Sequence, residues 1–183
     1  MALIRYVAFL RAINVAGRSV VTMSDLRDAF TSAGCSGVHT YIQSGNVIFD
    51  VGKAGAPATF EKVRRHLQPL LGKSPVVVYR SARILERLLA RDPFRALAKH
   101  EDVKRYVTFL LAKPTTGRGL PFVSVKDGIE AIGRSGLDVF VVSRALKDGH
   151  YGFPNLAVER HLGVLATSRN WNTLTKIVER AAT

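Results

Sequence analysis

Two short segments of the chain combine polar, hydrogen-bonding side chains with an aromatic residue, a composition typical of ligand-binding turns. The first reads Thr-Tyr-Ile-Gln-Ser-Gly-Asn over residues 40–46, and the second reads Thr-Ser-Arg-Asn-Trp-Asn-Thr over residues 167–173. Hydroxyl, amide and guanidinium groups donate hydrogen bonds to polar and anionic ligands. Both segments are therefore predicted to be turn-like and to contribute to a binding site.

The first segment follows a predicted strand. Strand alternation sends Tyr41 and Gln43 to the same face, and the turn behind them presents backbone N–H groups to an anion. An ordinary hairpin uses the same residue types structurally, with Gly45 supplying a positive φ angle and Tyr41 packing, so both interpretations are open. The candidate ligand-binding residues, including two that follow the first predicted strand, are Arg11, Asn14, Tyr41, Gln43, Ser44, Gly45 and Asn46.

The second segment precedes the last predicted helix. The N-terminus of a helix with an arginine beside it attracts anions. Alternatively, Ser168, Asn170 or Asn172 caps this helix, and its apolar stripe consists of Trp171, Leu174, Ile177 and Val178. One cap does not need so many polar residues, which favours binding. The candidate ligand-binding residues are Thr167, Arg169, Asn170, Trp171 and Asn172.

Hydrophobic periodicity predicts the elements that position the first segment. A capping box of Thr22 and Asp25, with Val21 and Leu26 as the staple, starts a helix that Gly34 ends. The predicted order is strand 6–13, this helix, strand 38–42, strand 47–49, a helix carrying Phe60, Val63, Leu67 and Leu70, and strand 75–79. This βαββαβ order is typical of a ferredoxin-like subdomain.

The rest of the chain predicts a second, smaller subdomain. A connecting helix follows Ser81 and stops at Asp92, before Pro93. Beyond it, strands are predicted over residues 105–111, 128–132 and 137–143, and helices over residues 155–162 and 172–181. The predicted class is α+β, with a ferredoxin-like subdomain at 1–80, a connecting helix and linker at 81–100, and a C-terminal α+β subdomain at 101–183.

Composition limits the functional classes. Of the 183 residues, 47% are hydrophobic, which is enough for a sizeable core, and a single cysteine excludes an intramolecular disulfide framework. No apolar run approaches the roughly 20 residues needed to cross a bilayer, so we expect a soluble, cytoplasmic protein without a membrane partner. The net charge of +13 favours polyanionic partners, although the basic residues are scattered and also fit a solvated surface.

No residue pattern identifies a reaction. The histidines lack the i, i+4 spacing of a helical zinc pair, so no metal site is predicted. Cys35 has no evident histidine or aspartate partner and is expected to be a small buried residue. Carboxylates do not stand out in pairs. Catalytic residues and cofactors are therefore unknown at this stage, and whether the protein is an enzyme stays open.

Several runs of residues resemble the bacterial domain of unknown function 1697 family. They are residues 11–15 (Arg-Ala-Ile-Asn-Val), Met23 with Leu26, residues 40–47 and residues 166–173. The resemblance spans almost the whole chain and implies a two-subdomain α+β protein with a ferredoxin-like first half. It implies no established activity. Ala12 and Ala16 stand where glycines are usual in the family, a departure that argues against close approach of a ligand to the backbone there.

Two functional hypotheses follow. In the favoured one, the two segments meet between the subdomains, where clefts commonly form, and bind a small anionic or polar ligand. In the alternative, the protein is a nucleic-acid binding module that uses its basic surface and the ferredoxin-like sheet, with Tyr6, Phe9, Tyr41 and Phe49 on or near the strands. Residues 46–50 lack the glycine- and aromatic-rich signature of RNA-recognition sheets.

Overall fold

The computed structural model describes residues 2–11, 13, 21–71, 75–97 and 102–183. These residues form two antiparallel sheets and five α-helices, so the protein is a mixed α+β protein. The elements are β1 (Leu3–Leu10), α1 (Met23–Ser32), β2 (Ser36–Tyr41), β3 (Asn46–Gly52), α2 (Ala56–Leu71), β4 (Val77–Ser81), α3 (Ala82–Arg91), β5 (Val103–Leu110), β6 (Phe122–Ser124), β7 (Ile129–Ser135), β8 (Asp138–Arg144), α4 (Pro154–Leu162), β9 (Ala166–Asn170) and α5 (Trp171–Ala181).

The chain divides into two compact units. The first unit comprises Met1–Arg87 together with Ile177–Thr183, and the second unit comprises Leu88–Lys176. The end of α5 therefore belongs to the same unit as β1 to β4, although it is far from them in sequence.

The sheet of the first unit has the strand order β2-β3-β1-β4, and every neighbouring pair is antiparallel. Ala8 and Leu10 of β1 point into a core shared with α1 and α2, whereas Val7 and Phe9 lie on the opposite face and are also buried. Burial on both faces explains why β1 ends in a continuous apolar run instead of alternating with polar residues.

Helix α1 begins as its sequence predicts. The Thr22 hydroxyl oxygen accepts a hydrogen bond from the Asp25 backbone N–H at 3.0 Å, and the Asp25 carboxylate accepts one from the Thr22 N–H at 3.3 Å. The predicted capping box is confirmed. It satisfies N–H groups that the first turn of the helix leaves without intrahelical partners.

Aromatic side chains fill the helix-side core of the first unit. The Phe49 ring meets Phe30 edge to face at 5.0 Å, and Phe60 stacks on Tyr79 at 4.0 Å. Phe9 is fully buried on the other face of the sheet. The phenylalanines expected to offer exposed stacking surfaces on the sheet are thus packed inside the protein.

The second unit contains a sheet with the order β6-β7-β8-β5-β9, again antiparallel throughout. Helix α4 packs on it through Ala157, Val158 and Leu162, which join Val139 and Val141 in one core. The predicted strands near β5, β7 and β8 and both C-terminal helices are present, with ends displaced by at most three residues.

Neither edge strand of this sheet was predicted from the sequence. Strand β6 has only three residues, and β9 reads Ala-Thr-Ser-Arg-Asn without hydrophobic alternation. The prediction of a turn-like stretch over residues 167–173 is wrong, because β9 continues to Asn170 and α5 begins at Trp171. Helix α2 starts at Ala56, before Phe60, the first residue of its predicted apolar stripe.

Candidate functional site

The first polar segment forms a tight connection between β2 and β3. A short 3-10 turn, Ile42–Ser44, follows Tyr41, and Gly45 adopts the left-handed conformation with φ of 73°. The strand ends at Tyr41, so the alternation that was expected to align Tyr41 with Gln43 does not reach Gln43. Ile42 and Gln43 are exposed on the outside of the turn, and Ser44 is half-buried.

Asn46 holds this turn together from inside. Its side chain is fully buried, and its amide nitrogen donates to the Tyr41 carbonyl oxygen at 3.1 Å and to the Ser44 hydroxyl oxygen at 2.8 Å. A buried amide that bonds both ends of a turn is a structural element. The Asn46 side chain therefore holds the backbone of the turn and is not exposed to solvent.

At position 45 there is no room for a side chain. Its carbonyl accepts a hydrogen bond from the Leu10 N–H at 2.8 Å, and a Cβ atom at this position would lie 2.8 Å from Ile13 Cδ1 and 2.9 Å from Leu10 Cβ. The turn is thereby packed against the end of β1. Gly45 itself is buried in this packing.

Tyr41 instead adjoins a pocket on the edge of the sheet. The guanidinium carbon of Arg180 lies 4.8 Å from the centre of the Tyr41 ring, which is within the range of a cation–π interaction. Arg180 lines a cavity of about 460 Å³. This edge pocket is lined by Arg27, His39, Thr40, Ile48, Arg180 and Thr183.

Elements distant in sequence supply the lining of the edge pocket. Arg27 comes from α1 and donates to the Thr40 hydroxyl oxygen of β2 at 3.2 Å. His39 pairs across the strands with Ile48, whose side chain is buried. Arg180 and Thr183 come from the end of the chain. The pocket is mostly cationic and hydroxylic, and the described residues that line it include no Asp or Glu side chain.

Asp50, which lies after Ile48 on β3, is paired with an arginine. Arg5 donates from Nε and Nη2 to the two carboxylate oxygens of Asp50, both at 3.0 Å, and from Nη1 to the Ala181 carbonyl at 3.2 Å. The hydrogen bond to Asp50 raises the pKa of Arg5. The bidentate pair joins β1 to β3, and the bond to Ala181 joins β1 to the end of α5.

The second polar segment is mainly interior structure. Thr167 and Ser168 are buried in β9, and the Ser168 hydroxyl lies 2.7 Å from that of Thr108 on β5. Arg169 is only 7% exposed. Its Nη1 donates to the Thr167 hydroxyl oxygen at 2.9 Å and to the Ser168 carbonyl at 2.8 Å. Burial lowers the pKa of Arg169 to about 10, so the group stays charged at neutral pH.

The alternative interpretation of this segment as a cap is confirmed. The Asn170 side-chain oxygen accepts a hydrogen bond from the Asn172 N–H at 3.0 Å at the start of α5. The predicted apolar stripe is also present, because Leu174, Ile177 and Val178 are buried. Trp171 is half-buried and meets Phe94 edge to face at 5.1 Å, whereas the Asn172 side chain is exposed.

Arg11 and Asn14 are the remaining candidate ligand-binding residues. The backbone N–H of Arg11 donates to the Val76 carbonyl at 2.9 Å, and Asn14 lies outside the described residues. Sequence reasoning missed Arg27, His39 and Arg180, because no local motif connects an α1 residue with the end of α5. In the structure Arg27 contacts Thr40 and Arg180 contacts Tyr41, so both arginines lie beside β2.

Cys35 is buried as expected, and burial raises its pKa to about 11, so the thiol stays protonated. Across the described ranges, no three His, Cys, Asp or Glu residues are grouped in a way that could hold a metal ion. None of the helices within these ranges is long and apolar enough to span a bilayer.

Comparison with known proteins agrees with the resemblance seen in the sequence. The family described as "Protein of unknown function (DUF1697)" matches residues 3–140, and the chain belongs to this family. A solved structure of a conserved bacterial protein from Streptococcus pneumoniae is similar with a TM-score of 0.63 and 22% identity, covering 98% of this chain and 99% of that chain. At this identity the likeness shows a shared fold alone. No curated protein matches the chain.

Proposed function

We propose that the protein binds a small anionic ligand in the edge pocket of its first unit. The observation that carries this proposal is the lining of the pocket, in which Arg27, Arg180 and His39 stand beside the hydroxyl groups of two threonines without an Asp or Glu side chain among the described residues. A concave site that collects cationic and hydroxylic donors is complementary to carboxylate or phosphate oxygens.

The two arginines supply the main recognition chemistry. A guanidinium group has a planar set of donors that matches the two oxygens of a carboxylate or phosphate. Arg27 is oriented by its bond to the Thr40 hydroxyl, and Arg180 by its position over the Tyr41 ring. Ile48 supplies an apolar wall against which the uncharged part of a ligand can pack.

Tyr41 connects this proposal with the first polar segment. Asn46 bonds the Tyr41 carbonyl and so fixes the end of β2. In the proposed site, Tyr41 positions Arg180, and Ser44, Gly45 and Asn46 act by holding Tyr41. Thr167, Arg169 and Asn170 are not included, because their side chains have roles within β9 and at the start of α5.

We further propose that the first unit is a ferredoxin-like βαββαβ subdomain. The strand order β2-β3-β1-β4 with antiparallel neighbours supports this assignment. The division between Arg87 and Leu88 falls inside the 81–100 segment proposed as the connection to the second subdomain.

Calorimetric titration with inorganic pyrophosphate tests the proposed function. We expect saturable binding that weakens at least tenfold in the Arg27→Gln/Arg180→Gln variant, a loss of about 1.4 kcal/mol. The matched control is Arg83→Gln/Arg87→Gln, which removes the same charge from two exposed positions on α3 outside the pocket. Equal affinity in the two double variants, or no binding by the unmodified protein, would refute the proposal.

A further inference from the structure

The second unit carries a larger basic groove. Its volume is about 890 Å³, and it is lined by three cationic side chains and four glycines along with apolar and threonine residues. The cationic side chains are Lys113, Arg118 and Arg134, and all three are exposed. The glycines are Gly117, Gly119, Gly133 and Gly136. This basic groove lies wholly within the second unit.

The loop that forms one wall of the basic groove is fixed to the end of α4. The Thr115 N–H donates to the Leu162 carbonyl at 3.0 Å, and the Thr115 hydroxyl donates to the Gly163 carbonyl at 2.7 Å. The Thr116 hydroxyl donates to the His161 carbonyl at 2.7 Å. These bonds preform the wall, so binding there does not have to order the loop first.

A smaller side pocket adjoins the basic groove through Arg118, which lines both. Its volume is about 160 Å³, and Lys126, Arg160 and the ring of Phe122 also line it. Phe122 stacks on His161 with 3.9 Å between ring centres, and a His161 ring nitrogen lies 2.8 Å from the Gly119 carbonyl oxygen. The side pocket therefore joins an aromatic wall to a cationic rim.

The described charged side chains that line the two cavities are all basic. Arg160 is paired with Asp127 at 2.6 Å, and Arg134 donates to the Gly136 carbonyl at 3.0 Å. Among the described residues, the linings of both cavities include Lys and Arg side chains but no Asp or Glu side chain. Lys113, Arg118 and Arg134 therefore give the groove a basic lining, and Arg118 is shared with the side pocket.

We infer that the basic groove binds single-stranded nucleic acid. Cationic side chains along an open groove bind the phosphates of a nucleic-acid strand. Glycines have no side chain, so the sugar-phosphate backbone can come close to the protein there. The side pocket beside Phe122 takes one unstacked base. A concave groove of this kind admits a single strand, whereas a duplex keeps its bases stacked inside and presents a convex surface. This inference does not depend on the edge pocket, because the two sites share no residue.

Fluorescence anisotropy with a labelled single strand of about 12 nucleotides tests this inference at several salt concentrations. We expect log K to fall with log salt at a slope of about −2, because each phosphate neutralised on a single strand contributes about −0.7. The Lys113→Ala/Arg118→Ala variant should bind at least tenfold more weakly, with a slope nearer to −0.7. A duplex of the same length should bind more weakly than the single strand.

The control variant is Lys62→Ala/Lys147→Ala, which removes the same net charge from exposed positions outside both cavities. It should keep the affinity and the slope of the unmodified protein, and circular dichroism should show both variants folded. The inference is overturned if the control loses as much affinity as Lys113→Ala/Arg118→Ala, if the duplex binds as tightly as the single strand, or if no oligonucleotide binds.

Discussion

Arg180, in the last turn of α5, places its guanidinium carbon 4.8 Å from the centre of the Tyr41 ring at the end of β2. The contact joins a residue near the end of the chain to the first polar segment of the sequence. Arg180 lines the edge pocket and contacts Tyr41, so residues 40–46 are connected to the pocket through this pair.

Replacing Tyr41 tests this relationship. Tyr41→Leu removes the aromatic ring and should weaken pyrophosphate binding by about 0.5–1 kcal/mol, the usual value of an exposed cation–π pair. Tyr41→Phe keeps a ring and should bind like the unmodified protein. Calorimetric titration distinguishes the two variants, and equal affinities for Leu and Phe would mean that the ring does not orient Arg180.

Gly45→Ala is expected to destabilise the first unit by about 2–4 kcal/mol. The residue has φ of 73°, and its new Cβ would lie within 2.9 Å of Leu10 Cβ and of Ile13, so left-handed strain adds to overpacking. Gly149→Ala is the control, since Gly149 has φ of 79° but no atom within 4 Å of an added Cβ. Urea denaturation should give the control a loss of only about 1–2 kcal/mol. Equal losses would exclude the packing effect.

Ile42→Asn should stabilise the protein by about 1 kcal/mol. Ile42 has φ of 49° although it is β-branched, and its side chain is 51% exposed. Asparagine adopts the left-handed region at lower cost, and little buried apolar surface is lost. The denaturation midpoint should therefore rise, whereas a fall would show that the Ile42 side chain packs more than its exposure indicates.

Alkaline pH should destabilise the first unit through Cys35. Burial raises the Cys35 pKa from 9.0 to about 11, so the folded state favours the protonated thiol. Its contribution is fully present below pH 9 and is lost as the pH rises from 9 through 11. The loss should reach about 2–3 kcal/mol, because the pKa rises by roughly two units, each of which corresponds to about 1.36 kcal/mol.

Comparison with Cys35→Ala isolates this effect. Burial also raises the pKa of Tyr79 in the same core, with the Cys35 charge as a smaller cause, so the unmodified protein loses stability from both groups. Unfolding free energies measured from pH 8 to pH 11 should fall less steeply in Cys35→Ala. Identical slopes would show that the thiol does not titrate differently on unfolding.

Trp171→Ala should lower the free energy of unfolding by about 3 kcal/mol, as truncation of a packed aromatic residue does. The indole meets Phe94, which is buried, edge to face at 5.1 Å. Asn172→Ala is the neighbouring control, because the exposed Asn172 uses its backbone N–H in the cap. Its denaturation midpoint should stay almost unchanged. Similar midpoints for the two variants would place Trp171 outside the core.

Family membership, the α+β class and most helices were predictable from the sequence, because their signals are local. The Thr22 and Asp25 capping box needs only residues three apart, and the stripe of Leu174, Ile177 and Val178 needs only the helical period. Strand β9 was not predictable in this way. Its Thr, Ser and Arg side chains are polar but buried, since they bond one another and β5.

The candidate site was predictable only in part. The sequence by itself determined that a turn containing Gly45 joins two strands, and it offered a cap before α5 as one of two interpretations. Only the tertiary structure decided that Asn46 faces inward and that Arg27 and Arg180 meet at the edge of the sheet beside Thr40 and Tyr41. The physical reason is that turns and caps depend on backbone geometry within a few residues, whereas a pocket depends on side chains that packing brings together from distant parts of the chain.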